Sequence, residues 1–166
     1  MSNFLPASLR HCTLTSAEVN QFAPLALAYI GDAIYELYVR GHYLFPPKRL
    51  KAYHQQVVNC VRAEQQANFL VNILMPLLTA DEVELVRRGR NASSKPSRKK
   101  LSTKVYQQAT SFEVLLGYLY LTNQPRLWEL LDALPLNNSL DSDPLDAHPL
   151  DSDLLASLEN NRADLD

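Results

Sequence analysis

Between Leu25 and Arg40 the chain reads LALAYIGDAIYELYVR, a run of good helix formers broken only by Gly31-Asp32. No other stretch restricts the fold as tightly. At 3.6 residues per turn, Ala28, Tyr29, Tyr35 and Glu36 share the face of Asp32. A carboxylate among such neighbours is expensive to bury unless it is paired, hydrogen-bonded or bound to a metal. Gly31 costs a helix interior roughly 1 kcal/mol against Ala. Its missing side chain lets a second helix approach beside the acid. The pattern predicts a helix crossing at which a charge is held for a purpose.

A second run has the same construction. Tyr106 to Leu121 reads YQQATSFEVLLGYLYL, apolar and helical, with one embedded acid, Glu113, and Gly117 one turn away. Ala109, Phe112, Leu116 and Tyr120 lie on the side of Glu113. Two apolar helices, each with one acid and one glycine, suggest a pair that cross and bring Asp32 near Glu113. Convergent carboxylates are hard oxygen ligands suited to Mg²⁺, with Mn²⁺ as a substitute. The alternative for each acid is a structural role, capping a loop or pairing with a buried Arg. Taken together, the pair favours a metal site.

The region between these helices is basic. Arg87, Arg88, Arg90, Lys95, Arg98, Lys99, Lys100 and Lys104 occur without an intervening acid. Gly89, Asn91, Ser93, Ser94, Pro96 and Ser97 mark the stretch as a loop. Charge runs are usually solvated. Here the run between two metal-ligand helices favours contact with a phosphate backbone. The net charge of −2 conceals an asymmetry, since residues 137–166 hold eight acids and one base. Residues 1–136 keep 15 bases and 10 acids, a balance that suits a polyanion. Clustered exposed aromatics for stacking single-stranded bases are absent from the basic stretch.

Every strong apolar signal repeats near 3.6 residues, so an all-α domain is expected over 1–136. Thr15-Ser16-Ala17-Glu18 and Thr79-Ala80-Asp81-Glu82 read as capping boxes. Pro24 suits a first helical turn, and Pro46-Pro47 forces a stop. A helix restarts over Lys48–Val58 with Lys48, Arg49 and Lys51 in its first turns, and helix continues from Val57 to Met75, where Pro76 ends it. Glu36 and Arg40 are spaced for a surface ion pair, although Glu36 also lies one turn beyond Asp32. His54 reads as solvated. The last helix, Asn123–Leu134, offers Trp128, Leu130 and Leu131 to the core. Residues 137–166 are acidic, Pro-containing and poor in aromatics, and read as a disordered tail. Cys12 and Cys60 have no metal spacing and read as reduced thiols. No stretch is a charge-free run long enough to span a membrane, and no secretory signal precedes the domain. A cytoplasmic location is expected.

Ile30-Gly31-Asp32-Ala33 together with Phe112-Glu113-Val114-Leu115-Leu116-Gly117 resembles the two signature helices of the ribonuclease III catalytic domain. The intervening Arg88-Gly89-Arg90-Asn91-Ala92 and the small size are similar to the Mini-III branch, which lacks a double-stranded-RNA-binding domain. The resemblance covers Pro24–Leu134. It implies the ribonuclease III helical fold, with Asp32 and Glu113 as catalytic metal ligands and Arg87, Arg88, Arg90, Asn91, Lys95, Arg98, Lys99, Lys100 and Lys104 contacting RNA. The fuller family pattern has further acids four residues before the Asp and three before the Glu. Ala28 and Thr110 stand there, so waters, RNA phosphates, Glu36 or Thr110 are left to complete the shell. The resemblance further implies a homodimer that cuts double-stranded RNA to leave 5′-phosphate and 3′-hydroxyl ends. The implied substrate is a stem of the 23S ribosomal RNA precursor, with a ribosomal protein as a possible accessory. Two other classes remain open: a non-catalytic, ribosome-associated RNA-binding protein on the same fold, and a helical interaction module with structural acids.

Overall fold

The computed structural model describes residues 14–93 and 102–136, and among these every regular element is helical. The elements are α1 (Ser16–Val19), α2 (Pro24–Leu44), α3 (Leu50–Val61), α4 (Ala63–Phe69), α5 (Ala80–Ala92), α6 (Thr103–Thr122) and α7 (Gln124–Asp132). A π turn (Leu70–Leu74) and a 3-10 turn (Met75–Leu77) follow α4. The all-α expectation holds. The expected tail, the N-terminal segment with Cys12, and Lys95, Arg98, Lys99 and Lys100 lie outside the described residues.

Local chemistry sets most helix ends. Both capping boxes form. In the first, Thr15 N donates to Glu18 Oε2 at 2.8 Å and Glu18 N donates to Thr15 Oγ1 at 3.3 Å. Thr79 and Glu82 repeat these bonds at 2.8 and 3.3 Å. Each box satisfies two N–H groups that a helix start leaves without partners. Pro24 occupies the first turn of α2, and Ser102 caps α6 by accepting from Val105 N at 3.2 Å. The stop at Pro46 is present, with α2 running to Leu44 and a cis Phe45–Pro46 bond beyond it.

Two expectations need correction. Helix does not run unbroken from Val57 to Met75. Arg62 is extended (φ −66°, ψ 149°), so α3 ends and α4 begins on either side of it. The amides of Gln65 and Gln66 then bond the Arg62 carbonyl at 3.0 and 3.1 Å, starting a helix with a new direction. Second, the helix opened by the second capping box, expected to run through Arg90, extends to Ala92, so the start of the basic stretch, Arg87–Ala92, is helical rather than a loop.

The helices α2 and α6 form the central pair, flanked by α3, α4, α5 and α7. Between them lie Tyr35 and Phe112, both fully buried, with rings 4.8 Å apart edge to face, a favoured arrangement of aromatic quadrupoles. Tyr35 Oη donates to the Cys60 carbonyl at 3.1 Å, tying α3 to the core. Leu70, Leu74, Leu115, Leu116, Leu127, Leu130 and Leu131 complete that core. Trp128 departs from expectation, being 42 % exposed and leaning on Tyr38. Its position on α7 turns it toward the rim while Leu127, Leu130 and Leu131 point inward.

Candidate active site

The crossing of α2 and α6 is built by reciprocal glycines. A methyl added at Gly31 would drive into the carbonyl oxygen of Glu113, and one at Gly117 into that of Leu27. Backbone therefore packs on backbone where the two acids emerge. Ala28 and Thr110, at the positions where the fuller pattern has acids, are 5 % and 4 % exposed.

Asp32 and Glu113 are both half-buried at this crossing. The Glu113 carboxyl is pushed up to about 8, first by burial and then by the negative charge of Asp32. Asp32 is also raised, by burial and then by Glu36. Among the described residues no base contributes to either shift, and none of their Arg side chains neutralises these acids. Two close carboxyls that resist ionisation together are what a cation would relieve.

Glu36 makes the expected ion pair with Arg40, at 2.7 Å. Among the described residues no set of three or more His, Cys, Asp or Glu side chains converges as a metal cage. Two carboxylates still suit Mg²⁺, which keeps several waters and commonly takes one or two carboxylates plus substrate phosphates.

A residue that the sequence did not single out completes the constellation. Gln66, in the first turn of α4, is 2 % exposed. Its Nε2 donates to the Val61 carbonyl at 3.3 Å. The same side chain is a hydrogen-bond donor toward both Asp32 and Glu113, lowering each carboxyl against the larger upward effects. The only available signal was a glutamine one turn beyond an unrecognised helix break.

The basic surface divides. Arg87 is paired with Glu84, its Nε and Nη2 donating at 2.7 and 2.6 Å. Arg88 Nη1 donates to Asn20 Oδ1 at 2.6 Å. Arg90 and Asn91 are exposed at the end of α5, and Lys104 is exposed in the first turn of α6. Lys48 is held by Gln56 Oε1 at 2.8 Å and lies over the Tyr43 ring, which accounts for its position without a phosphate.

An all-helical domain that crosses two acid-bearing helices on glycines defines a class of fold and site, and residues 25–124 match the family model described as the Ribonuclease III domain. The chain belongs to the ribonuclease III family, in its Mini-ribonuclease 3 branch. It is 54 % identical over 123 residues to the Mini-ribonuclease 3 of a Synechococcus species, covering 74 % of this chain and 88 % of that one. To the Mini-ribonuclease 3 of a Synechocystis species it is 53 % identical over 118 residues, covering 71 % and 81 %. A Fusobacterium nucleatum protein solved by X-ray crystallography has the same fold, with a TM-score of 0.62 at 23 % identity over 69 % of this chain and 93 % of that one.

Proposed function

We propose that this protein is a Mg²⁺-dependent endoribonuclease of the ribonuclease III type that hydrolyses double-stranded RNA. The observation carrying this reading is the half-buried pair Asp32 and Glu113, set together by backbone packing and without a neutralising base among the described residues. Asp32 and Glu113 hold the ion. When bound, the ion would supply an activated water and charge stabilisation at the leaving oxygen, the chemistry that gives 5′-phosphate and 3′-hydroxyl ends. Mn²⁺ substitutes for Mg²⁺ in the same oxygen set.

Arg90, Asn91 and Lys104 face solvent where α5 ends and α6 begins, the two helices that bound the basic stretch of residues 93–102. They bind the duplex through phosphates and 2′-hydroxyls, as expected for A-form RNA. Lys95, Arg98, Lys99 and Lys100 of that stretch are assigned the same role on their charge. Arg87 and Arg88 are already engaged by Glu84 and Asn20, and take a smaller share.

The active species is a homodimer. Phe22, Leu25 and Tyr29 are 46, 47 and 82 % exposed near the start of α2, and Phe22 and Tyr29 line a common apolar hollow with Ile30 and Leu121. An apolar patch of this kind is a common mark of an interface. Tyr35, on the same helix, belongs to the core. The biological substrate is a 23S ribosomal RNA precursor stem in the cytoplasm, with a ribosomal protein as a possible accessory.

The deciding experiment incubates a long RNA duplex with wild type and Asp32→Asn, with and without Mg²⁺. Metal-dependent cleavage by wild type, reduced ~10³-fold in the variant with RNA binding retained, supports the enzyme. Binding without cleavage by wild type identifies a non-catalytic RNA-binding scaffold instead.

A further inference from the structure

The amide of Gln66 has an unusual environment. It sits on a third helix, α4, and reaches the crossing of α2 and α6 because the chain breaks at Arg62. Its residue is 2 % exposed. Its Nε2 donates to Val61 at 3.3 Å and is a donor toward both carboxyls. Its Oε1 is sealed from solvent and accepts nothing from the described residues. Buried carbonyl oxygens are nearly always partnered, so one without a partner, on a side chain that interacts with both carboxyls, calls for a ligand.

We propose that Gln66 is a positioning residue of the metal site, fixing the carboxyls of Asp32 and Glu113 through Nε2 and accepting through Oε1 from a water carried by the bound ion. The inference rests on the metal reading above. Ligating carboxylates are commonly oriented by a hydrogen bond from a neighbouring group, and removing that group lowers metal affinity by about 10–100-fold. A neutral amide is the side chain this place calls for. A Lys would neutralise the acids and compete with the ion. A third carboxylate would add repulsion to the burial and the Asp32 charge that already raise Glu113. The amide supplies a donor for the ligands and an acceptor for the ion's water, with no net charge.

The test uses the full chain. Gln66→Met keeps the volume and removes both polar atoms. Gln66→Asn keeps the amide and withdraws it by one methylene. Mn²⁺ titration followed by electron paramagnetic resonance reads affinity without activity. Both variants are expected to bind Mn²⁺ about 10–100-fold more weakly than wild type. In wild type, the ¹⁵N–¹H₂ signals of the Gln66 side chain are expected to shift on Mg²⁺ addition, a measurement that needs no variant to fold. A folded Gln66→Met with wild-type Mn²⁺ affinity overturns the proposal. So do Gln66 amide signals that stay fixed while Mg²⁺ binds. Wild type that binds neither ion removes the metal reading itself, and this inference with it.

Discussion

Glu113 is the residue whose proton the fold controls most directly. The unfolded chain releases it near 4.5, while the folded chain holds it to about 8. Between those values the folded state binds more protons than the unfolded one, so metal-free stability falls as pH rises. Below the window both states are protonated and the penalty is absent; above it the penalty is complete. At about 1.4 kcal/mol per pH unit, it reaches a few kcal/mol. Glu113→Gln is expected to flatten this slope, which urea denaturation of metal-free protein on both sides of the window checks. Metal binding must also expel the proton. Calorimetric titration with Mg²⁺ in buffers of different ionisation heat is therefore expected to register proton release below about pH 8.

Glycines distinguish the elements from one another. Gly31 has no room for a methyl, whereas Gly41, on the same helix, has nothing within 4 Å of where one would stand. Gly31→Ala is expected to cost about 3 kcal/mol or more by overpacking, and to abolish cleavage as the acids separate. Gly41→Ala is expected to stabilise by about 0.5–1 kcal/mol. Thermal unfolding of the two variants beside wild type makes the comparison. The crossing at Gly31 and Gly117 was legible in sequence because small residues and periodic apolar positions are local signals. Both capping boxes were legible for the same reason. The break at Arg62 was not. Neither Gly nor Pro marks it, and the modest helix propensity of Val57–Val61 is too weak a signal to end a helix. The bend is set by the packing of α4 against α6, which no short window contains. Gln66 was missed along with it. Trp128 was misplaced because periodicity finds an apolar face without saying how far its edge extends.

Across the molecule, Arg126 joins parts distant in sequence. Its guanidinium donates from Nε and Nη2 to the two oxygens of Glu82 at 3.0 and 3.1 Å, and to the Leu77 carbonyl at 2.7 Å. Arg126→Ala leaves the 8 %-exposed Glu82 without its base and is expected to destabilise by about 3 kcal/mol, measured by urea denaturation. The proposed homodimer uses another face. Tyr29→Glu is expected to yield a folded monomer by analytical ultracentrifugation that nicks rather than cuts a duplex. On the RNA side, Arg90→Ala is expected to weaken duplex binding and reduce the dependence of log K on log salt by about one unit. The helix contact at Gly31 and Gly117 bears on all of these behaviours. Because peptide groups rather than side chains set the gap between α2 and α6, the spacing of the two acid-bearing backbones inherits a fixed gauge. Surface residues can drift in charge and size without altering it. Any side chain added at the seam would prise the two helices apart, so the spacing tolerates no fine adjustment there.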